Sequence, residues 1–282
     1  MSNILTAIKA IVENSSTNVV EYSPNKSQNR ATQMGDAFED YVKNAFANCL
    51  GQDIESIQEA HSQTFSYLGN RTNPPDAMLK GSDAIEIKKI AAIQTSLLQL
   101  NSSYPKNKLH SDNPKICKKC CDSEVWKEKD MLYVIGQVNG QELQNIFFVY
   151  GDLYCDSRET YENVENTIKE GLNSLAGVEL AETNELGRVN KVDHLEISDL
   201  RIRGMWLIKS PFLHFDYLTK DITNYTFKLV ALIPKDKYNS FTNVDEFEEF
   251  CTQKGVNISD KKIKNPQNPA NLIESKLITY YY

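Results

Sequence analysis

The spacing of hydrophobic positions predicts several amphipathic helices. Apolar residues recur every three or four positions in residues 3 to about 14 and, more strongly, in residues 29 to 50. The same periodicity predicts helices at 91–100, 161–175 and 244–252. Each of these helices is expected to pack one face against a core.

Runs of β-branched and aromatic residues predict a sheet. Residues 77–80 and 84–90 flank Gly81-Ser82 and are expected to form a tight hairpin. Residues 130–138 and 144–150 flank the turn Asn139-Gly140 and are expected to extend the same sheet. Further strands are predicted at about 65–68, 200–208 and 227–233. Without a repeat or a clear linker, the pattern favours one elaborated α/β domain over two domains.

Length and composition place the chain among globular proteins. It has 282 residues, of which 40% are hydrophobic and 24% charged, so it can bury a sizeable core. No apolar window is long enough for a membrane span, and the N-terminus lacks a signal-peptide pattern, so a cytoplasmic location is expected. The six cysteines are too sparse for a disulfide scaffold, and reduced thiols are expected.

The charge distribution points to a local basic region. The net charge of −7 argues against a wholly cationic surface that coats nucleic acid. Residues 86–121, however, contain seven lysines and only two acidic residues. Within this region, residues 101–119 are rich in Asn, Ser, Pro and Lys and are predicted to be an extended surface loop.

The predicted hairpin carries a polar constellation. Side chains alternate along a strand, so Glu86 and Lys88 share one face about 6 to 7 Å apart, while Ile85 and Ile87 point into the core. The turn brings Asp76 towards Glu86. Two carboxylates and one amine are therefore expected to meet on this strand.

Such a trio suits metal-dependent hydrolysis of a phosphodiester. Two adjacent acids repel unless a cation lies between them, and hard oxygen ligands suit Mg²⁺. The metal would activate water, and Lys88 would orient that water or stabilise charge on phosphorus. The alternative is that Glu-x-Lys on an exposed strand is only solvated. Its combination with Pro75-Asp76, the hairpin interval and the basic region favours a catalytic role.

These residues resemble those of a known protein family. Pro75-Asp76 with Glu86-Ile87-Lys88 resembles the PD-(D/E)xK nuclease superfamily, and the wider sequence resembles the NgoPII-type family of type II restriction endonucleases. The blocks that carry the wider resemblance are Met34-Gly-Asp-Ala-Phe-Glu-Asp-Tyr41, Phe65-Ser-Tyr-Leu-Gly-Asn70, Asn73-Pro-Pro-Asp76, Asp83-Ala-Ile-Glu-Ile-Lys-Lys89, Leu100-Asn-Ser-Ser-Tyr-Pro-Lys106, Leu186-Gly-Arg-Val-Asn-Lys-Val-Asp193 and Leu200-Arg-Ile-Arg-Gly-Met-Trp206.

The resemblance implies a restriction-endonuclease-like mixed β-sheet flanked by helices, with C-terminal elaborations. It implies a catalytic core at about 29–150 and DNA-recognition elaborations at about 100–120 and 180–282. It also implies Mg²⁺-dependent cleavage of both DNA strands at a short palindrome, GGCC for this family.

The resemblance also assigns roles to residues. Asp76 and Glu86 match the metal-binding acids, and Lys88 matches the catalytic lysine. The first core helix of the superfamily often adds an acid, for which Glu39 is the best match and Asp36 and Asp40 are alternatives.

Two arginines are the leading candidates for reading bases. Guanine presents two acceptors in the major groove, and the fork of arginine matches both. Arg201 and Arg203 alternate on a predicted strand and are expected to share a face. The alternative is a phosphate clamp, or a salt bridge with Glu196 or Asp199.

Other polar residues are candidates for DNA contacts. Lysines beside a catalytic hairpin contact phosphates more often than bases. The candidates are Asn101, Ser102, Ser103, Lys106, Lys108, Arg188 and Lys191.

A small cluster of metal-ligating residue types lies in the basic region. His110, Cys117, Cys120 and Cys121 could hold a structural Zn²⁺, because Cys-x-x-Cys is half of a common zinc site. No second half follows at a suitable spacing, so ordinary reduced thiols are favoured.

The sequence is therefore interpreted as a type II restriction endonuclease that acts on double-stranded DNA and leaves 5′-phosphate ends. A palindrome with two scissile bonds is most simply matched by a homodimer. A cognate DNA methyltransferase is expected as a functional partner. The alternatives are a repair, recombination or antiphage nuclease without strict site specificity, and a non-catalytic DNA-binding protein.

Overall fold

The computed structural model describes residues 2–14, 16–22, 30–70, 72–101, 103–174, 186–190, 192, 198 and 200–282, with the backbone alone at 21–22, 30–33 and 101. The helices are α1 (Ile4–Glu13), α2 (Arg30–Phe46), α3 (Ile54–Thr64), α4 (Lys118–Cys121), α5 (Arg158–Asn173), α6 (Pro211–His214), α7 (Lys235–Asn239) and α8 (Val244–Lys254). Short 3₁₀ turns lie at Val19–Tyr22, Gly151–Leu153 and Asp216–Leu218. The strands are β1 (Phe65–Tyr67), β2 (Ala77–Leu79), β3 (Ala84–Ile90), β4 (Leu97–Asn101), β5 (Lys108–His110), β6 (Glu128–Asn139), β7 (Glu142–Tyr150), β8 (Gly187–Val189), β9 (Leu200–Ile202), β10 (Met205–Lys209), β11 (Lys228–Pro234), β12 (Asn257–Lys264) and β13 (Leu272–Tyr281).

Among the residues described, nine strands form one mixed sheet. Eight follow the order β1-β2-β3-β6-β7-β11-β13-β12, and β5 pairs with the first residues of β6. The β3–β6 and β7–β11 pairs are parallel, whereas the other neighbouring pairs are antiparallel. Two ribbons, β4–β10 and β8–β9, are paired separately from this sheet. The predicted α/β architecture, a mixed sheet flanked by helices, is confirmed.

The central strands of the sheet are buried on both faces, and successive side chains enter opposite cores because they alternate along a strand. On β6, Leu132 and Val134 belong to the core formed with α1, α2 and α8. Their neighbours Met131, Tyr133 and Ile135 belong to a second core, formed with α4, α6 and the β4–β10 ribbon. A polar side chain on a central strand therefore faces an apolar core, whichever side of the sheet it lies on.

Helix α2 approaches the sheet at a glycine. A Cβ atom on Gly136 of β6 would lie 2.2 Å from the ring of Phe38, which is fully buried. Gly136 is paired with Lys89 of β3. The absence of a side chain at Gly136 therefore lets α2 pack directly over the β3–β6 pair.

Both predicted hairpins, β2–β3 and β6–β7, are confirmed. The helix predicted at 91–100 is wrong, because residues 97–101 form β4 and pair with β10. The strand predicted at 200–208 is divided into β9 and β10, which pair with different partners.

The C-terminal region supplies β11, β12 and β13 to the main sheet. It therefore contributes to the same core as the predicted catalytic segment. The described helices include none with the length and apolar character that crossing a membrane would need.

Candidate active site

The β2–β3 hairpin fixes Asp76 beside the middle of β3. The backbone N–H of Asp76 donates to the carbonyl of Ile85 at 3.0 Å. In return, the backbone N–H of Ile87 donates to Oδ2 of Asp76 at 2.6 Å. The carboxylate of Asp76 is therefore held by the same backbone segment that carries Glu86.

Lys88 lies against both carboxylates. Its Nζ is 2.7 Å from Oε1 of Glu86 and 4.0 Å from Oδ2 of Asp76. Ile85 and Ile87 are buried in the opposite direction, in the core beneath α2. The predicted convergence of two acids and one amine on one face of the hairpin is confirmed, while their catalytic roles stay predictions.

The electrostatics of this trio favour an additional cation. Burial and the charge of Glu86 raise the pKa of Asp76 to about 7, although the Lys88 ammonium opposes the shift. Burial lowers the pKa of Lys88, but the charges of Glu86 and Asp76 outweigh it and raise the net value. In the described part of the chain, Oε2 of Glu86 is buried without a hydrogen-bond partner. One ammonium therefore does not satisfy both carboxylates.

Helix α2 brings Glu39 within electrostatic reach of the trio. The charge of Glu39 contributes to the raised pKa values of both Asp76 and Lys88. Glu39 therefore stays the leading candidate for the additional acid, with Asp36 and Asp40 as the alternatives. Its participation in catalysis stays a prediction.

The two acids of the hairpin fit a Mg²⁺ site that water and substrate would complete. Among the described residues, no group of three or more His, Cys, Asp or Glu side chains could hold a metal ion. Mg²⁺ is commonly bound by one or two carboxylates, with waters and substrate phosphates filling the remaining positions. The unpartnered Oε2 of Glu86 is a free hard ligand of this kind.

The β8–β9 ribbon groups the predicted DNA-contacting arginines. Arg188 lies directly opposite Arg201, and Arg201 and Arg203 are both exposed. Strand β9 ends one residue after Arg201, so Arg203 follows the strand rather than belonging to it. The alternative partners Glu196 and Asp199, and the candidate residues Lys191 and Ser102, lie outside the described residues, as does the side chain of Asn101.

The prediction of an extended surface loop at 101–119 is wrong, because residues 108–110 form β5, residues 118–121 form α4, and several side chains in between are buried. Ser103 and Lys106 are 7% and 4% exposed. The Lys106 ammonium donates to Oγ of Ser103 and, at 3.0 Å, to the carbonyl of Tyr104. Burial lowers the pKa of Lys106 to about 8. Both side chains are almost completely buried, so the structure does not favour a direct DNA contact by either.

Lys108 belongs to a network of ion pairs. Its Nζ is 3.0 Å from Asp130 and 3.1 Å from Glu128. Asp130 also pairs with Lys237, which reaches the buried Asp83, with both distances at 2.6 Å. A DNA phosphate would therefore compete with two carboxylates for Lys108.

The candidate zinc residues have separate contacts. Sγ of Cys117 is 3.1 Å from the Tyr67 hydroxyl, Cys120 is buried, and Nδ1 of His110 is 3.6 Å from a glutamate. Cys121 Sγ lies 3.5 Å from a backbone carbonyl. These four side chains, all of which the structure describes, do not form a metal-holding group.

Gly69 is a site neighbour that the sequence reasoning missed. Its φ angle is +81°, and a Cβ atom there would lie 2.3 Å from the carbonyl oxygen of Asp76. The sequence offered only a weak signal, a glycine shortly after a predicted strand. Its contact with Asp76 depends on how the loop folds back.

Comparisons with known proteins show which family the chain resembles. The family model described as NgoPII restriction endonuclease matches residues 2–264. The chain is 45% identical over 280 residues to the type II restriction enzyme NgoPII of Neisseria gonorrhoeae, covering 99% of each protein. No solved structure matches the chain significantly.

Proposed function

The chain belongs to the NgoPII restriction endonuclease family, and from this premise we propose that Asp76, Glu86 and Lys88 hydrolyse both strands of duplex DNA at a short palindromic site. As a type II restriction endonuclease, it is a site-specific deoxyribonuclease. Water adds to phosphorus while the bond to the 3′ oxygen breaks, which leaves a 5′-phosphate and a 3′-hydroxyl.

The observation that carries the proposal is the convergence on the hairpin. Lys88 lies 2.7 Å from Glu86 and 4.0 Å from Asp76, on a strand whose alternate residues are core isoleucines. A solvated Glu-x-Lys pair needs neither the second buried carboxylate nor the unpartnered oxygen of Glu86. Both features support a cation-binding catalytic site.

Asp76 and Glu86 would hold Mg²⁺, with Glu39 as an additional acid nearby. When bound, Mg²⁺ polarises phosphoryl oxygens and lowers the pKa of a coordinated water. The backbone N–H of Ile87 keeps the Asp76 carboxylate oriented. Glu86 holds the Lys88 ammonium in place through their 2.7 Å ion pair.

Lys88 acts as a charge stabiliser in this proposal. Its raised pKa keeps the amine protonated at neutral pH. A protonated amine beside the scissile phosphate stabilises the negative charge that develops on the phosphoryl oxygens. It also orients the attacking water by a hydrogen bond.

The specificity part of the proposal rests on the arginines and on the family. Arg201 and Arg203 read guanines, and Arg188 supports them from the opposite strand of the ribbon. The proposed recognition sequence is GGCC. The enzyme is proposed to act in the cytoplasm as a homodimer, with a cognate methyltransferase protecting the same sites on host DNA.

Digestion of plasmid DNA with Mg²⁺ tests the function. Discrete, reproducible bands support site-specific cleavage, and sequencing the ends gives the site and the cut position. A smear favours a nuclease without strict specificity. Absence of cleavage of any duplex favours a non-catalytic DNA-binding protein.

Variants test the assigned residues. Asp76→Ala, Glu86→Ala and Lys88→Ala are each expected to abolish cleavage while cognate DNA binding remains largely intact in a gel-shift assay. Lys262→Met, at an exposed lysine of β12, is the control. Full activity of the Lys88 variant would reject its assigned role.

A further inference from the structure

Lys43 makes one contact along helix α2 and one contact with a segment outside it. It lies one turn after Glu39 and is 7% exposed. Its Nζ donates to Oε1 of Glu39 at 2.6 Å and to the carbonyl of Leu68 at 2.8 Å. The ammonium therefore joins helix α2 to the segment that follows β1.

That segment is in direct contact with Asp76. Gly69, the next residue after Leu68, approaches so closely that a Cβ atom would lie 2.3 Å from the Asp76 carbonyl oxygen. The connection thus runs from Glu39 to the Lys43 ammonium, from the ammonium to the Leu68 carbonyl, and through the neighbouring Gly69 to the backbone of Asp76.

We propose that Lys43 is a positioning residue that sets the separation of Glu39 and Asp76 and thereby the geometry of the cation site. The inference rests on the proposed function, because it assumes that these acids serve Mg²⁺. A buried ammonium is costly unless a carboxylate and further acceptors satisfy it. Here Glu39 and the Leu68 carbonyl do so, and the hydrogen bond to the Leu68 carbonyl ties α2 to the loop beside Asp76.

The sign of the effect on Mg²⁺ affinity separates positioning from charge. If Lys43 acted only through its positive charge, its removal would leave the site more negative and strengthen Mg²⁺ binding. If Lys43 positions the acids, its removal weakens binding. Loss of a supporting residue around a metal site typically reduces affinity by about 10- to 100-fold.

Titration calorimetry with Mg²⁺ on the full chain, without DNA, tests the inference. Lys43→Met is expected to bind Mg²⁺ about 10- to 100-fold more weakly than the wild type, and Lys43→Arg, which keeps the charge and the donors, is expected to recover most of that loss. When Glu39 is already replaced by Gln, Lys43→Met is expected to reduce Mg²⁺ affinity by a smaller factor. Unchanged or tighter binding by folded Lys43→Met would overturn the proposal.

The control is Lys9→Met, which removes a lysine whose ion pair joins two elements of the fold. Lys9 is 2.7 Å from Glu246, between α1 and α8. The Lys9→Met variant should keep the Mg²⁺ affinity and the cleavage rate of the wild type. A loss of Mg²⁺ affinity equal to that of Lys43→Met would overturn the proposal. If Lys43→Met does not fold by circular dichroism, Lys43→Gln carries the same comparison.

The behaviour of the wild type distinguishes a failure of the proposed function from a failure of the positioning role. If it neither binds Mg²⁺ nor cleaves DNA, the proposed function fails. If it does both and folded Lys43→Met matches it, only the positioning role fails. Single-turnover cleavage at saturating and at limiting Mg²⁺ gives a second readout, because a positioning defect is larger at limiting Mg²⁺.

Discussion

Replacement of Gly69 by alanine is expected to damage the active site without touching any of its charged groups. Gly69 has a φ angle of +81°, and it lies against the backbone of Asp76. Alanine adds one methyl group at the point where this loop supports the first residue of the acidic pair. The perturbation therefore tests whether the position of Asp76 matters for cleavage.

The size of the effect follows from the distances. The new Cβ atom would lie 2.3 Å from the Asp76 carbonyl oxygen and 2.9 Å from its carbonyl carbon, whereas ordinary contact begins near 3.4 Å. The two segments must therefore separate by roughly 1 Å, and such a displacement at a catalytic group costs on the order of 100-fold in rate. That loss corresponds to about 2.7 kcal/mol of activation free energy. The left-handed backbone adds about 1 to 2 kcal/mol of destabilisation.

The assay is single-turnover cleavage of a duplex containing the site, with the free energy of unfolding measured in urea. Gly140→Ala is the matched control, because Gly140 has a φ angle of +64° but nothing within 4 Å of its Cβ position. Gly140→Ala should lose stability and keep its cleavage rate. A Gly69→Ala enzyme that cleaves as fast as Gly140→Ala would refute the reasoning.

Three further outcomes are expected. Because the pKa of Asp76 is raised to about 7, Mg²⁺ binding below pH 7 should release a proton. The apparent affinity for Mg²⁺ should therefore become weaker as the pH is lowered. Calorimetry in buffers of different ionisation enthalpy counts the released proton. By linkage, the stability that Asp76 contributes to the metal-free chain is present below the ordinary aspartate pKa, about 3.9, and is lost as the pH rises to about 7. A free energy of unfolding in urea to which Asp76 contributes more as the pH rises over this range would contradict the raised pKa. Arg201→Ala should weaken discrimination at one base position by about 1 to 3 kcal/mol. Selection of cleaved sites from a randomised pool measures this discrimination. An equal loss of cleavage at all sequences would instead indicate a role in phosphate binding alone. Lys237→Met leaves Asp83 and Asp130 without their shared 2.6 Å partner and should destabilise the fold by about 3 to 5 kcal/mol; a urea midpoint equal to that of the wild type would exclude a structural role for the pair.

The ion-pair network around Asp83 lies at the opposite end of β3 from Lys88. Asp83, just before β3, is fully buried and also accepts a hydrogen bond from Tyr150 at 2.6 Å. Lys237 links it to Asp130 at the start of the region of β6 that pairs with β3. The network thus anchors the strand whose other half carries the candidate catalytic residues.

The convergence of Asp76, Glu86 and Lys88 could be predicted because it depends on local rules. Side chains on a strand alternate, and a tight turn returns the chain antiparallel to itself. Both rules act within about fifteen residues. The family resemblance added Glu39, which helix packing over Gly136 brings towards the trio.

The errors in the predicted elements arose where a partner lies far away in the sequence. The strand β4 was predicted as a helix, because its pairing with β10 joins residues separated by about a hundred positions. Helix α3 was also missed; it lies on the surface and buries none of its residues. The strands β12 and β13 were also not predicted.

The sequence by itself determined the alternating pattern of the hairpin, the identity of its acids and amine, and the family. Only the tertiary structure decided that Lys106 is buried, that Lys43 joins Glu39 to the loop beside Asp76, and that Gly69 must lack a side chain. The physical reason is that burial and close approach depend on segments that meet only after folding, whereas turn chemistry and strand periodicity act between neighbours in the chain.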